Sequence, residues 1–155
     1  MNLLRLYIII GILLVLPSCN SETVFISSST MENNEWDYSN IITYEFNITD
    51  TVNSNNISLF MRNDLDYSYR NIHLIISLFN DDLTIVTDTV QYEIADQYGR
   101  WTGQGIGDVK SNYLRLNDVV TFPNKGIYYF SIKHGMRDTP LKGVRKIGLE
   151  ITQNQ

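Results

Sequence analysis

From Ile42 onward, the run Ile-Ile-Thr-Tyr-Glu-Phe-Asn-Ile at 41–48 alternates apolar and polar side chains with a period of two. Ile42, Tyr44, Phe46 and Ile48 share one face, while Thr43, Glu45 and Asn47 share the other, as in a strand with one face buried. Residues 56–63 and 71–80 repeat this behaviour on either side of the turn-rich stretch 64–70. In 71–80 the residues Ile72, Leu74, Ile76 and Leu78 lie on one face and Ile75 and Phe79 on the other. Apolar side chains on both faces predict a strand central to its sheet. Further strand-like runs cover 83–95 (after the turn at Asn80, Asp81 and Asp82), 113–122, 126–134 and 144–152. Beyond the N-terminal segment, no stretch keeps apolar residues at i, i+3, i+4 and i+7 for three turns, so amphipathic helices are not expected. Seven or eight short strands in roughly 115 residues predict one all-β domain, a two-sheet sandwich of Ig-like or jelly-roll-like topology. A partly closed barrel is the competing architecture.

Composition supports that reading. The chain has 10 tyrosines and a single alanine, Ala95. β-Branched and aromatic residues suit a pleated surface, whereas helices favour Ala, Leu, Glu and Lys.

The N-terminus follows a different pattern. Arg5 precedes an apolar run from Leu6 to Leu16, and then Pro17, Ser18 and Cys19. A positive start, a short apolar core and a small residue before a cleavage point are the parts of a secretory signal peptide. The apolar run is about half of the roughly 20 residues a spanning helix needs, and Pro17 interrupts it. Leu16-Pro17-Ser18-Cys19 fits a bacterial lipobox, and Cys19 is the one cysteine in the chain. A solitary cysteine in an exported protein has no disulfide partner, and acylation of its thiolate accounts for its position. Residues 1–18 therefore read as a lipoprotein signal peptide. Residues 19–38, rich in Ser and Asn, read as a lipidated tether, and 39–155 as the β-sandwich domain. A palmitate-bearing anchor of this kind holds a domain at a membrane without a spanning helix.

The whole chain carries a formal net charge of −5, with 12 basic and 17 acidic residues. Loss of the signal peptide removes Arg5 and makes the mature chain more acidic. Together with the absence of a basic run, this excludes nucleic acid as a partner.

Few residues offer chemistry. His73 and His134 lie far apart in sequence and read as packed or capping residues, so neither a metal site nor a cofactor is expected. No Gly-x-Ser-x-Gly elbow presents a nucleophile. Asp64-Leu65-Asp66 reads as a solvated turn, because its acids are too few for a calcium loop. The triplets at Asp50-Thr51-Val52 and Asp88-Thr89-Val90 resemble short O-glycosylation signals of exported Bacteroidetes proteins, which makes Thr51 and Thr89 candidate sites.

The segment Trp101-Thr-Gly-Gln-Gly-Ile-Gly-Asp108 is more distinctive. A dinucleotide loop places glycines at offsets 0, 2 and 5 and opens a helix on the phosphate. Here Gly103, Gly105 and Gly107 stand at offsets 0, 2 and 4, with Asp108 next and no helix signal after it. This is not a nucleotide loop. The two-residue spacing instead predicts a strand with all three glycines on one face, a bare strip for a ring or another backbone to cover. Trp101 would share that face and either cover the strip or anchor a partner.

Three segments in order behind the lipobox, 62–76, 98–110 and 128–151, resemble the gliding-motility lipoprotein GldH family of Bacteroidetes. The resemblance runs from about Trp36 to Ile151. Its pattern falls on Arg62, Asn63, Tyr67, Tyr69 and Asn71, then on Trp101, Gly103, Gly105, Gly107 and Asp108, and finally on Met136 and Arg137. Ser68 stands where the family often has proline. The resemblance implies a non-enzymatic lipoprotein of the cell envelope, periplasm-facing or in the outer membrane. It implies a role in surface gliding, a link to type IX secretion, and other gliding or secretion proteins as partners. The alternative is a glycan- or peptide-binding surface lipoprotein, which would need two or three coplanar exposed rings. Packed tyrosines favour the first reading.

Overall fold

The computed structural model describes residues 22–81, 84–116 and 119–154. The signal peptide and Cys19 lie outside the described residues, as does the last residue of the Asn80–Asp82 turn. Among the described residues ten strands form: β1 Thr23–Thr30, β2 Glu35–Trp36, β3 Ile42–Ile48, β4 Asn55–Asn63, β5 Asn71–Phe79, β6 Thr84–Glu93, β7 Lys110–Arg115, β8 Gly126–His134, β9 Leu141–Lys142 and β10 Val144–Gln153. A 3₁₀ turn, Glu32–Asn34, links the first two. No helix among the described residues is long and apolar enough to cross a membrane.

Eight of the strands make two four-stranded antiparallel sheets in the orders β1-β10-β4-β7 and β3-β8-β5-β6, and β2 pairs with β9 alongside. The chain crosses between the sheets at nearly every connection. This interleaving is jelly-roll topology, and it decides against the Ig-like alternative. As expected from its two apolar faces, β5 is a central strand, between β8 and β6.

Alternation sets the core. In β3, β4 and β5 every second residue is buried. Ile42, Tyr44, Phe46 and Ile48 meet Leu59, Met61, Ile147 and Leu149 in one continuous cluster. Phe46, Phe122 and Tyr128 pack ring on ring, with Phe122–Tyr128 centroids 4.9 Å apart. Burying each such side chain contributes about 1.5–3 kcal/mol.

Two sequence expectations need correction. The tether ends much earlier than residue 38, because residues 23–30 form β1 and pair with β10 from Thr23 to Thr30. Trp36, assigned to the tether, is fully buried, and its indole N–H donates to the Asn40 carbonyl at 2.8 Å. The Ser-rich composition hid β1 because its inward positions after Phe25 are Ser27 and Ser29. The strand expected over 113–122 also differs: β7 runs from Lys110 to Arg115, and Val120 makes an isolated bridge to Asn55.

Candidate functional site

Jelly-roll connectivity gathers four connections at one end of the sandwich: 31–41, 64–70, 94–109 and 135–143. The opposite end carries the start of β1, the 49–54 turn and the end of β10, where Gln153 donates to the Asp50 carboxylate. All the residues of the family pattern fall on or beside the first end. Segments distant in sequence therefore form one neighbourhood.

Tyr67 is its hub. The residue is 2% exposed, and its hydroxyl donates to the Asn71 carbonyl at 2.8 Å. Burial pushes the pKa of that hydroxyl well above the usual tyrosine range, so it is a structural donor at neutral pH. Trp101 packs against Tyr67 at 6.2 Å between centroids, and Tyr69 packs edge-on at 6.0 Å. From Asn71 the contacts continue: its side-chain amide lies 3.3 Å from His73 Nε2, and the His73 backbone N–H donates to the Met136 sulfur at 3.2 Å. Met136 thus sits half-buried against the core. Arg137 is exposed, in a shallow hollow with Tyr69 and Asp138. A hydrogen bond to the Asp138 carboxylate raises the Tyr69 pKa.

The glycine segment is not the strand that its spacing predicts. Residues 101–109 form a loop fastened by isolated bridges, Ala95 to Trp101 and Gln104 to Ser111. Each glycine is required for its own reason. A Cβ on Gly103 would meet Asn112 Oδ1 at 2.5 Å and the Ser111 carbonyl oxygen at 2.8 Å. At Gly105 it would land on the Val109 carbonyl oxygen, and Gly107 adopts φ +68° with open space around it. Trp101 does not cover the glycines; it turns toward Tyr67. Asp108 is exposed at the loop tip.

Sequence reasoning missed several residues here. Asn112 is buried and donates to Asn63 Oδ1 at 2.8 Å, tying β7 to β4 and fixing the wall that Gly103 leans on. Gly143, at φ +74°, brings its backbone against that of Asp66 and Tyr67. Asp64 is not in a freely solvated turn: it is 8% exposed, accepts from the Asp66 backbone N–H at 3.1 Å and faces Arg145 at 4.0 Å. His134, read from the sequence as packed or capping, is packed: it is fully buried between Trp36 and Tyr38, with no hydrogen bond to either ring nitrogen among the described residues. Burial lowers its pKa, opposed by the nearby Trp36 backbone and the Asp37 carboxylate. The buried Asn residues stand on strands where alternation marked only the apolar positions as core.

Among the described residues, no group of three or more His, Cys, Asp or Glu side chains is placed to hold a metal ion. Tyr44, Tyr67 and Tyr128 are buried, whereas the exposed Tyr38, Tyr98 and Tyr113 lie on separate segments.

Comparison with known proteins matches residues 23–151 to the family described as GldH lipoprotein. A gliding motility lipoprotein GldH homolog of Christiangramia forsetii is 26% identical over 155 residues, covering 96% of this chain and 94% of that protein. The gliding motility lipoprotein GldH of Flavobacterium johnsoniae is 27% identical over 154 residues, covering 92% and 95% respectively. Among solved structures, the infectious bursal disease virus VP2 subviral particle matches 89% of this chain and 36% of its own, at 15% identity and a TM-score of 0.41. A likeness that weak carries no argument about function.

Proposed function

We propose, from the premise that this chain belongs to the GldH lipoprotein family, that it is a non-enzymatic interaction component of the gliding-motility machinery, linked to type IX secretion. In this reading Cys19 carries the lipid and the jelly roll is the working part. The observation that carries the proposal is the extent of the match: the family covers residues 23–151, from β1 into β10, and the alignments with the two curated relatives run nearly end to end. The cluster around Tyr67 supports it. The family-pattern residues there are engaged in shaping loops, with Trp101, Tyr67 and Met136 packed rather than presented to a substrate. The scattered exposed tyrosines disfavour a glycan platform.

Deleting the gene in its own organism tests the role. Surface spreading should be lost and secreted cargo should accumulate inside the cells, and a Cys19→Ala copy should fail to restore either. The same variant should lose palmitate labelling and leave the membrane fraction. Normal spreading and secretion in the deletion strain would overturn the proposal.

A further inference from the structure

One corner of this acidic molecule gathers cations. On the outer face of the β1-β10-β4-β7 sheet, Thr30, Lys146, Arg62 and Ser111 lie side by side across the four strands. Lys146 and Arg62 are direct cross-strand neighbours, a like-charge pairing that weakens a sheet. β10 carries one extra residue at this point, Arg145, between Val144 opposite Asn63 and Lys146 opposite Arg62. A bulge of this kind re-aims side chains, and here it brings two consecutive cations to the same place.

The three cations line a hollow of about 530 Å³, walled on the far side by Gly105, Ile106 and Val109 of the glycine loop. Their internal neutralisation is incomplete. Arg145 has Asp64 at 4.0 Å, Arg62 Nε donates to the Ser111 hydroxyl at 3.2 Å, and Lys146 makes no ion pair or side-chain hydrogen bond among the described residues. Exposed apolar side chains stand beside the polar lining. Ile106 on the rim is 99% exposed. In the next row of the same face, Phe60 lies over Gly148 beside Tyr113, which is 71% exposed.

We propose that this hollow docks an acidic, aromatic-containing segment of a partner protein, its carboxylates held by Arg62, Arg145 and Lys146 and its apolar side chains by Ile106 and Tyr113. The cations call for an anion, and arginine binds carboxylates and phosphates alike through paired N–H donors; the apolar neighbours select a peptide. A fully exposed isoleucine and an aromatic pair next to cations offer little to a phosphate or a sugar acid, but they match the aromatic and arginine composition of protein interfaces. The proposal rests on the reading of the chain as an interaction component and names the chemistry of its partner. It also gives the glycine loop a function, because a loop pinned at Gly103 and Gly105 holds Ile106 out at the rim.

Affinity gel electrophoresis of the full chain in a non-ionic detergent tests it with defined polymers. Polyglutamate should retard the protein, and a random glutamate–tyrosine copolymer should retard it more, although protein and polymers are both acidic. Lys146→Glu should cut binding at least about tenfold. The same change replaces a repulsive cross-strand pair by an attractive one, so its melting temperature should hold or rise, separating lost docking from lost folding. Ile106→Ser should abolish the copolymer's advantage and spare polyglutamate binding. The proposal falls if the wild type binds neither polymer, if Lys146→Glu binds normally, or if polygalacturonate or inorganic polyphosphate binds as tightly as the copolymer. These outcomes are independent of the deletion phenotype, so failure here leaves the motility role standing.

Discussion

Three alanine substitutions separate the two physical reasons for glycine at the loop end of the sandwich. Gly107 has φ +68° and nothing within 4 Å of where a Cβ would stand, so Gly107→Ala adds left-handed strain alone, about 1–2 kcal/mol. At Gly103 no positive φ is involved, but the new carbon would meet Asn112 Oδ1 at 2.5 Å and the Ser111 carbonyl oxygen at 2.8 Å. Asn112 cannot swing aside without breaking its 2.8 Å bond to Asn63, so Gly103→Ala should cost about 1–3 kcal/mol by overpacking. Gly143 combines both problems. Its φ is +74°, and a Cβ there would collide with the Tyr67 backbone nitrogen and the Asp66 carbonyl carbon. Backbone cannot rotate out of the way as a side chain can, and the Asp64 N–H donates to the Gly143 carbonyl at 3.0 Å. The two effects should nearly add, to about 2–5 kcal/mol. At roughly 4 °C per kcal/mol for a domain of this size, thermal unfolding followed by circular dichroism resolves the order Gly143→Ala below Gly103→Ala, with Gly107→Ala nearest the wild type. Equal losses for Gly143→Ala and Gly107→Ala would refute the close approach of Gly143 to the Tyr67 turn.

Two further outcomes follow from the buried polar groups. His134 has its pKa lowered from 6.5, so below about pH 6.5 the unfolded chain binds a proton that the folded chain resists. Stability should therefore fall as pH drops through that region, then level off until Asp37, Asp50 and Asp96, all lowered from 3.8, begin to protonate. Urea titrations across pH 5–8 should show this limb, and its persistence in His134→Leu would assign it elsewhere. Tyr67→Phe removes the 2.8 Å bond to the Asn71 carbonyl and should cost about 0.5–1.5 kcal/mol, read as a shift in urea midpoint at constant slope.

How much of this was legible in the sequence depended on how local the cause was. Period-two alternation exposed β3, β4, β5, β8 and β10, because one buried face dictates every second residue. It could not choose between Ig-like and jelly-roll topology, since strand order is a property of distant pairings such as Thr30 with Lys146. The glycine spacing misled for an instructive reason. A period of two is strand-like only if one cause acts on all its members, and here three causes act: Asn112 at Gly103, the Val109 carbonyl at Gly105 and φ at Gly107. β1 was hidden by the opposite problem, a real ladder behind polar side chains. The basic hollow is invisible in sequence because Arg62 and Lys146 become neighbours only through the register of β4 with β10.

The corrected start of the domain changes how the molecule sits on a membrane. If Cys19 is the anchor, Thr23 follows only four positions later, a reach of at most about 14 Å. β1 then carries the chain across its eight residues, about 26 Å, from the anchored end to the end where the Tyr67 cluster and the basic hollow lie. The site should accordingly face away from the bilayer, poised for a partner instead of for lipid. Two exposed positions report the orientation: Val52 at the anchored end and Tyr98 in the 94–109 connection. With Cys19 acylated, Val52→Cys or Tyr98→Cys supplies a single free thiol for a fluorescent donor, and headgroup-labelled lipids in the vesicle supply the acceptor. Energy transfer should be clearly stronger from position 52 than from position 98. Equal transfer would mean that the domain lies on its side, and stronger transfer from position 98 would place the hollow against the membrane.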